Sequence, residues 1–223
     1  MKDIVRKIEK TSDGSCTLYV PQLDEHYHSV KGALTESQHI FIGMGLDSHP
    51  AATPAVLEIG FGTGLNAFLT RLRAEEEQRP VRYTTLERYP VEPELLASLA
   101  YPQQVAPHRS DAFDELHKAT WNEEVVLSSY FTLCKWNVDF TTSQFPEDTF
   151  DVVYFDAFAP EKQPEMWTPA LFERIYASMR EGGILVTYCA KGVVRRMLQG
   201  AGFRTERLPG PPGGKREILR AVK

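Results

Sequence analysis

The sequence predicts an α/β fold built on a mainly parallel sheet, and three observations carry that expectation. From Ala55 onward, short apolar runs alternate with helix-patterned segments, the order that covers a parallel sheet on both faces. Two of those runs, AVLEIG (55–60) and DVVYFD (151–156), are nearly continuous in apolar residues, as in strands buried on both sides. The first of them runs straight into a glycine cluster, LEIGFGTGLN (57–66), at a strand-to-helix junction.

Each element follows in order. Before Ala55, TLYVPQL reads as a short strand, HYHSVKGALTESQHIFI as turn-rich, and DSHPAATP as a connector, so residues 1–53 are expected to form an extension packed on a main domain of 54–223. AVLEIG is the first sheet strand and LNAFLTRLRAEEEQ its helix. VRYTTLE is the second strand, and VEPELLASLA a helix with Pro93 in its first turn. VVLSSYFTLCKWNV, rich in β-branched and aromatic residues, holds one long strand or two. DVVYFD is a buried strand, followed by a helix over TPALFERIYASMR with Thr168 as N-cap and Pro169 at its first position. GGILVTYCA is a strand and GVVRRMLQGAG a helix closed by glycine. GFRTERL and KREILRAV are joined by PGPPGG, too short for a crossover, so they pair antiparallel.

Composition narrows the classes. The 223 residues are 42% hydrophobic and 25% charged, which suits a chain that buries a large core. No apolar stretch approaches the roughly 18 to 20 residues of a membrane helix. MKDIVRKIEKTSDGS lacks the apolar stretch of a secretory leader. Cys16, Cys134 and Cys189 are isolated and odd in number, which fits a reducing compartment, so the expected location is the cytoplasm. His26 and His28 lack a third ligand in view, and no metal is expected. Net charge is −5, unevenly spread: from Lys191 onward nine basic residues face Glu206 and Glu217, a balance of +7, leaving −12 on the first 190 residues. Such asymmetry is the mark of an anionic partner met by one face, or simply of a solvated C-terminal surface.

The glycine loop is the strongest local signal. Gly60, Gly62 and Gly64 are spaced G-x-G-x-G rather than the G-x-G-x-x-G of a dinucleotide site, with Phe61, Thr63 and Asn66 interleaved or following. Glu58 lies two residues before Gly60. A carboxylate there repels a pyrophosphate but suits a cationic amino or sulfonium ligand, and S-adenosyl-L-methionine carries both cations. Glu87 closes the second strand, where a doubly wound fold sets an acidic residue over a ribose. Asp139, after WNV, is a further candidate near an adenine amino group, or a turn aspartate.

The segments YHSVKGALTESQHIFIG, LEIGFGTGLN, LERYP, VVYFDAFAPEKQPEMWTPALF, REGGILVTYCAKGVVRRMLQGAGF and GGKREIL carry a family resemblance, most specifically DAFAP followed by KQPEMW. From about residue 27 to the C-terminus the chain resembles the methyltransferase domain that completes 5-methylaminomethyl-2-thiouridine at the tRNA wobble position. The resemblance implies a Rossmann-like class I fold with a mainly parallel seven-stranded sheet and an antiparallel C-terminal strand. It implies S-adenosyl-L-methionine as cofactor and the tRNA anticodon stem-loop as partner. It further implies a stand-alone form without the flavin-dependent oxidase, dependent on a separate enzyme that makes the aminomethyl acceptor. Ala157 stands where several relatives carry glycine, and PGPPGG is richer in proline than the usual loop.

Methyl transfer to an amine is an in-line displacement that depends on alignment and on a neutral acceptor. Asp156, at the carboxyl end of DVVYF, is the candidate to orient the amine and, further, to accept its proton. Phe158 is expected to pack against the uridine or the reacting methyl. Glu36 is assigned by the resemblance to close the cofactor pocket or touch the acceptor. Trp167 either stacks on an anticodon base or packs in the protein. For RNA phosphates, the candidates are Lys191, Arg195, Arg196, Lys215 and Arg216; Arg195 and Arg196 alternatively pair with acidic side chains of neighbouring helices. Other readings are a small-molecule amine methyltransferase or aminopropyltransferase, which has no use for the basic C-terminus, and a nicotinamide-dependent oxidoreductase, which Glu58 and the glycine spacing disfavour. A non-catalytic RNA-binding module is the remaining class.

Overall fold

In a computed structural model describing residues 4–223, the chain first builds a small antiparallel sheet from β1 (Lys7–Lys10), β2 (Cys16–Val20) and β3 (Glu25–His26). The first three residues of the expected extension lie outside the described residues. A short helix, α1 (Ala33–Ser37), widens into a π-helical turn at Gln38–Gly43.

The main sheet then begins with β4 (Ala55–Ile59), followed by α2 (Leu65–Glu76) and β5 (Val81–Leu86). Three helices, α3 (Pro93–Ser98), α4 (Tyr101–Val105) and α5 (Ser110–Lys118), lead to the hairpin of β6 (Glu124–Ser128) and β7 (Phe131–Trp136). Then come β8 (Phe150–Phe155), α6 (Pro169–Ser178), β9 (Met179–Thr187), α7 (Gly192–Gly200), β10 (Arg204–Pro209) and β11 (Glu217–Val222). The sheet order is β10-β11-β9-β8-β4-β5-β7-β6. The central pairs are parallel, and β6, β10 and β11 are the antiparallel members at the two edges.

Among the described residues the sheet has eight strands where seven were expected. VVLSSYFTLCKWNV supplies two of them because the run turns at Ser128, whose Oγ accepts the Tyr130 N–H at 3.2 Å. Helices α4 and α5 were not anticipated either. Pro102 and Pro107 each sit at the start of a helical turn, where a missing N–H costs nothing.

Side-chain alternation divides the core into two layers. Val56, Tyr83, Val152, Tyr154 and Val186 face α2 and α5, while Leu57, Val153, Phe155, Leu185 and Leu219 face α6 and α7. Register fixes where the strands stop: Ile59 of β4 lies level with Leu86 of β5 and Phe155 of β8. Gly60, Glu87 and Asp156 therefore emerge side by side at the point where the chain leaves β4 for opposite halves of the sheet.

Thr168 caps α6 through the Leu171 N–H, as its position before Pro169 suggests. The residue before it corrects an expectation. Trp167 is 4% exposed, its ring 4.7 Å from that of Phe155 and 6.3 Å from those of Phe172 and Tyr188. Its Nε1–H donates to the Phe158 carbonyl at 2.7 Å. An indole so enclosed is unavailable to stack on an anticodon base. Trp167→Ala is expected to lower unfolding free energy by about 3–5 kcal/mol in urea titrations, the usual cost of deleting a large core ring. An unchanged midpoint would return Trp167 to the surface.

Candidate functional site

At the end of β4 the chain turns sharply, because the N–H groups of Gly60 and Phe61 both donate to the Leu86 carbonyl, at 3.2 and 3.0 Å. Gly60 has φ +96°, and a Cβ there would lie 2.9 Å from the Asp156 carbonyl oxygen. Gly62 has φ +51°, and its Cβ would meet the Tyr27 ring at 3.0 Å. Backbone and neighbours thus approach closer than any side chain permits. Gly64 continues the left-handed turn as the N-cap of α2.

This loop forms one wall of a cavity of about 830 Å³, within the range of small-molecule sites. Glu87 stands beside the loop: its Oε2 accepts the Gly62 N–H at 3.0 Å and its Oε1 the Tyr89 N–H at 2.8 Å. Asp139 lies on the far wall, ion-paired with Arg88 and accepting from the Thr141 N–H and hydroxyl. The N-terminal segment closes the cavity. Arg6 donates to the Tyr27 hydroxyl, to Glu92 and to the Tyr89 carbonyl, and Tyr27 meets the Phe158 ring edge-on at 5.1 Å.

Several expected contact residues serve from behind. The Phe61 ring turns away and packs on His117 and Trp121, so it supports the loop while its backbone faces the cavity. The buried Thr63 hydroxyl lies 2.9 Å from Nε2 of His28, whose pKa burial pushes down to about 4; the imidazole is neutral at pH 7. Glu58 is fully buried and absent from the cavity wall. Its Oε2 accepts the Thr85 hydroxyl at 2.7 Å, while its Oε1, Asn66 Oδ1 and Tyr83 OH are buried without a partner. Burial raises the Glu58 pKa to about 8; Thr85 opposes the shift and Asp156 adds to it. A proton on Glu58 lets it donate to one of those orphan oxygens. The carboxyl is thus buried under the loop rather than presented to a ligand in the cavity.

A second cavity, of about 530 Å³, adjoins the first. Asp156, Phe158, Tyr27 and His28 line both. Oδ2 of Asp156 accepts from the Asn66 amide at 2.9 Å. Burial, then the charge of Glu36, raises its pKa to about 7, with Asn66 and Lys215 pulling the other way. Of the two placements expected for Glu36, the structure puts it on this second cavity and not on the wall that carries the glycine loop. Its Oε2 accepts the Ser29 N–H at 2.9 Å and its Oε1 the Lys215 ammonium at 2.7 Å.

The sequence reading missed Tyr188. It follows β9, whose Val186 is level with Tyr154, so it arrives opposite Asp156. Its hydroxyl donates to the Ala157 carbonyl at 2.8 Å, and burial, then Asp156, raises its pKa. Its place after a strand end, in TYCAK, was the available signal.

The basic candidates separate. Lys191 is exposed and ion-paired with Glu161, and Lys215 turns inward to Glu36. Among the described residues Arg195, Arg196 and Arg216 form no ion pair; Arg196 and Arg216 are exposed, and Arg195 has a buried, unpartnered Nε. His26 pairs with Glu9, and among the described residues no cluster of three or more His, Cys, Asp or Glu side chains is arranged to hold a metal. No helix among them is long and apolar enough to cross a membrane.

A doubly wound sheet, a G-x-G-x-G cradle at its switch point and a strand-end carboxylate between two cavities define the class of nucleotide-cofactor transferases. Comparison with known proteins narrows it: residues 109–223 match a family described as S-adenosyl-L-methionine-dependent methyltransferase, and the chain belongs to that family. It is 30% identical over 236 residues to the tRNA 5-methylaminomethyl-2-thiouridine biosynthesis bifunctional protein MnmC of Cupriavidus metallidurans, covering 98% of this chain and 34% of that protein. Identity to the MnmC protein of Chromobacterium violaceum is 34% over 206 residues, covering 86% and 31%. The chain thus spans about a third of the length of these curated relatives. The crystal structure of MNMC2 from Aquifex aeolicus superposes with a TM-score of 0.76 at 25% identity, over 99% of this chain and 71% of that one. The resemblance carried by DAFAP and LEIGFGTGLN therefore holds, and S-adenosyl-L-methionine is the cofactor.

The Glu58 environment sets a stability trend. A carboxyl raised from 4.5 to about 8 contributes stability fully below pH 4.5 that is lost as pH rises toward 8. Glu58→Gln, which cannot ionise, is expected to match the parent's Tm near pH 5 and exceed it increasingly toward pH 8. Parallel Tm curves for the two proteins would show that Glu58 is ionised in the fold.

Proposed function

We propose that the chain transfers a methyl group from S-adenosyl-L-methionine to the 5-aminomethyl group of (2-thio)uridine at the tRNA wobble position, giving 5-methylaminomethyl-2-thiouridine. The observation that carries this reading is the Asp156 carboxylate on the wall shared by two cavities. One cavity has the glycine cradle and Glu87 of a nucleoside site; the other has carboxylates suited to an amine. The relatives named for this biosynthesis support the substrate class.

In this reading the backbone of Gly60 and Gly62 admits the cofactor closely, Glu87 accepts from its ribose hydroxyls, and Asp139 sits toward the base. When bound, the cofactor supplies an electrophilic methyl and a positive charge that disfavours a protonated amine beside it. Phe158 and Tyr27 separate the cavities and exclude water from the path between them. Asp156, held by the Asn66 amide, accepts the acceptor's N–H and aims its lone pair. It also receives the proton: an alkylamine of pKa roughly 10 stands about three pH units above Asp156, a transfer uphill by roughly 4 kcal/mol. A reaction at about 1 s⁻¹ has a barrier of roughly 17 kcal/mol, so that cost fits inside it.

Arg196 and Arg216, with Lys191 and Arg195, form the basic face for the anticodon stem-loop, and the acidic remainder limits the footprint. The aminomethyl group is made in an earlier step, and the reaction belongs in the cytoplasm with its tRNA. The test is transfer of labelled methyl to tRNA from cells lacking this activity, with the modified nucleoside mapped. Label on free amines only, or at another uridine, sinks the substrate assignment. Asp156→Asn is expected to lower turnover by about 10²-fold or more while cofactor affinity moves little. In the parent, kcat/KM is expected to climb with pH through about 7 as Asp156 loses its proton; a flat profile there removes Asp156 as the acceptor of the proton.

A further inference from the structure

The Lys215 ammonium sits in a box that recognises alkylammonium ions. Its Nζ is 2.7 Å from Glu36 Oε1 and 4.2 Å from the centre of the Tyr188 ring, inside the cavity that Asp156 also lines. A carboxylate beneath and an aromatic face alongside are the two elements that bind a compact organic cation. Glu36 is 6% exposed, and among the described residues Lys215 is its one cationic partner. Its other oxygen is fixed by the Ser29 N–H, so the acceptor atom facing Lys215 is held in place.

We propose that Glu36 and the Tyr188 face are the subsite for the ammonium form of the acceptor amine, and that Lys215 fills it as an internal stand-in until the acceptor displaces it. The inference rests on the reading of an amine acceptor. A lysine side chain ends in the same primary alkylammonium that an aminomethyl acceptor presents at neutral pH. Exchange of one for the other conserves charge, whereas leaving Glu36 ionised and unpaired is strongly unfavourable. Once the incoming cation is seated, Asp156 on the same wall is available for its proton.

The local backbone says which part moves. The hairpin neck is pinned: the His39 Nε2–H donates to the Pro209 carbonyl at 2.9 Å, and the Gly210 N–H to the Arg216 carbonyl at 3.0 Å. A Cβ at Gly210 would lie 1.8 Å from the Lys215 carbonyl oxygen, so the two sides of the neck are in direct contact. Exchange therefore proceeds by rotation of the four-carbon Lys215 side chain into solvent, which its 40% exposure permits.

The test titrates n-butylammonium chloride into the parent, Lys215→Ala and Lys215→Ala/Glu36→Gln proteins by calorimetry, with n-butanol as a neutral control. Removal of the stand-in is expected to tighten butylammonium binding about tenfold or more, and the added Glu36→Gln change to abolish the gain. Butylammonium binding that is equal in parent and Lys215→Ala, or that survives Glu36→Gln, overturns the proposal. Lys215→Met, which keeps the side chain's bulk but offers no donor to Glu36, gives the same readout if the alanine protein proves unstable in thermal melts. Because no RNA enters the titration, a protein that binds butylammonium as expected yet methylates no tRNA retains this subsite and loses only the tRNA assignment.

Discussion

The hydrogen bond from the Asp156 N–H to the Ile59 carbonyl, 3.2 Å long, is the constraint on which the site depends. It is the last rung between β8 and β4, and it sets the residue after one strand against the residue after the other. Gly60 must then pass the Asp156 carbonyl at a distance that leaves no room for a side chain. A Cβ at that position would push the two strand ends apart. The same displacement would move the Gly62 N–H from Glu87 and the Asn66 amide from Asp156. The glycine loop and the Asp156 carboxylate are thus one mechanical unit, and neither can be shifted alone.

Charge explains much of what surrounds that unit. Glu58, Asp156 and Glu36 place three carboxyl groups around one strand end, with Lys215 as the near cation. Burial in such company is affordable only if some groups stay protonated or paired. Burial favours the proton on Glu58 beneath the loop, Glu36 has Lys215, and burial raises Asp156 toward neutrality. Of the three, only Asp156 is neither ion-paired nor pushed well above neutrality.

Much of this was legible in the sequence because it depended on short-range signals. Strand ends marked by glycine or aspartate, the Thr168–Pro169 helix start and the six-residue link forcing an antiparallel pair all act within a few residues. What the sequence left open shares a different cause. Whether Trp167 faces solvent, which cavity Glu36 joins, and whether Glu58 reaches the surface are settled by packing between segments distant in the chain. Lys215 and Glu36 are 179 residues apart, and nothing local to either announces the pair. Tyr188 escaped notice because one tyrosine after a strand is common, and only its register against β8 gives it meaning.

That same long-range packing makes the N-terminal segment part of the site. Tyr27 rests against the position where Gly62 lacks a side chain and meets the edge of Phe158, while Arg6 ties its hydroxyl to Glu92 on the opposite rim. His28 reaches the loop through Thr63, and Glu36 completes the second cavity. A sheet of three short strands has too little apolar surface to fold alone. Here Leu18 of β2 is buried in the main core, so the small sheet is held by packing on the domain whose cavity it borders. Tyr27 lines both cavities, meets the edge of Phe158 and directly follows β3, so one side chain links the two cavity walls to the N-terminal sheet.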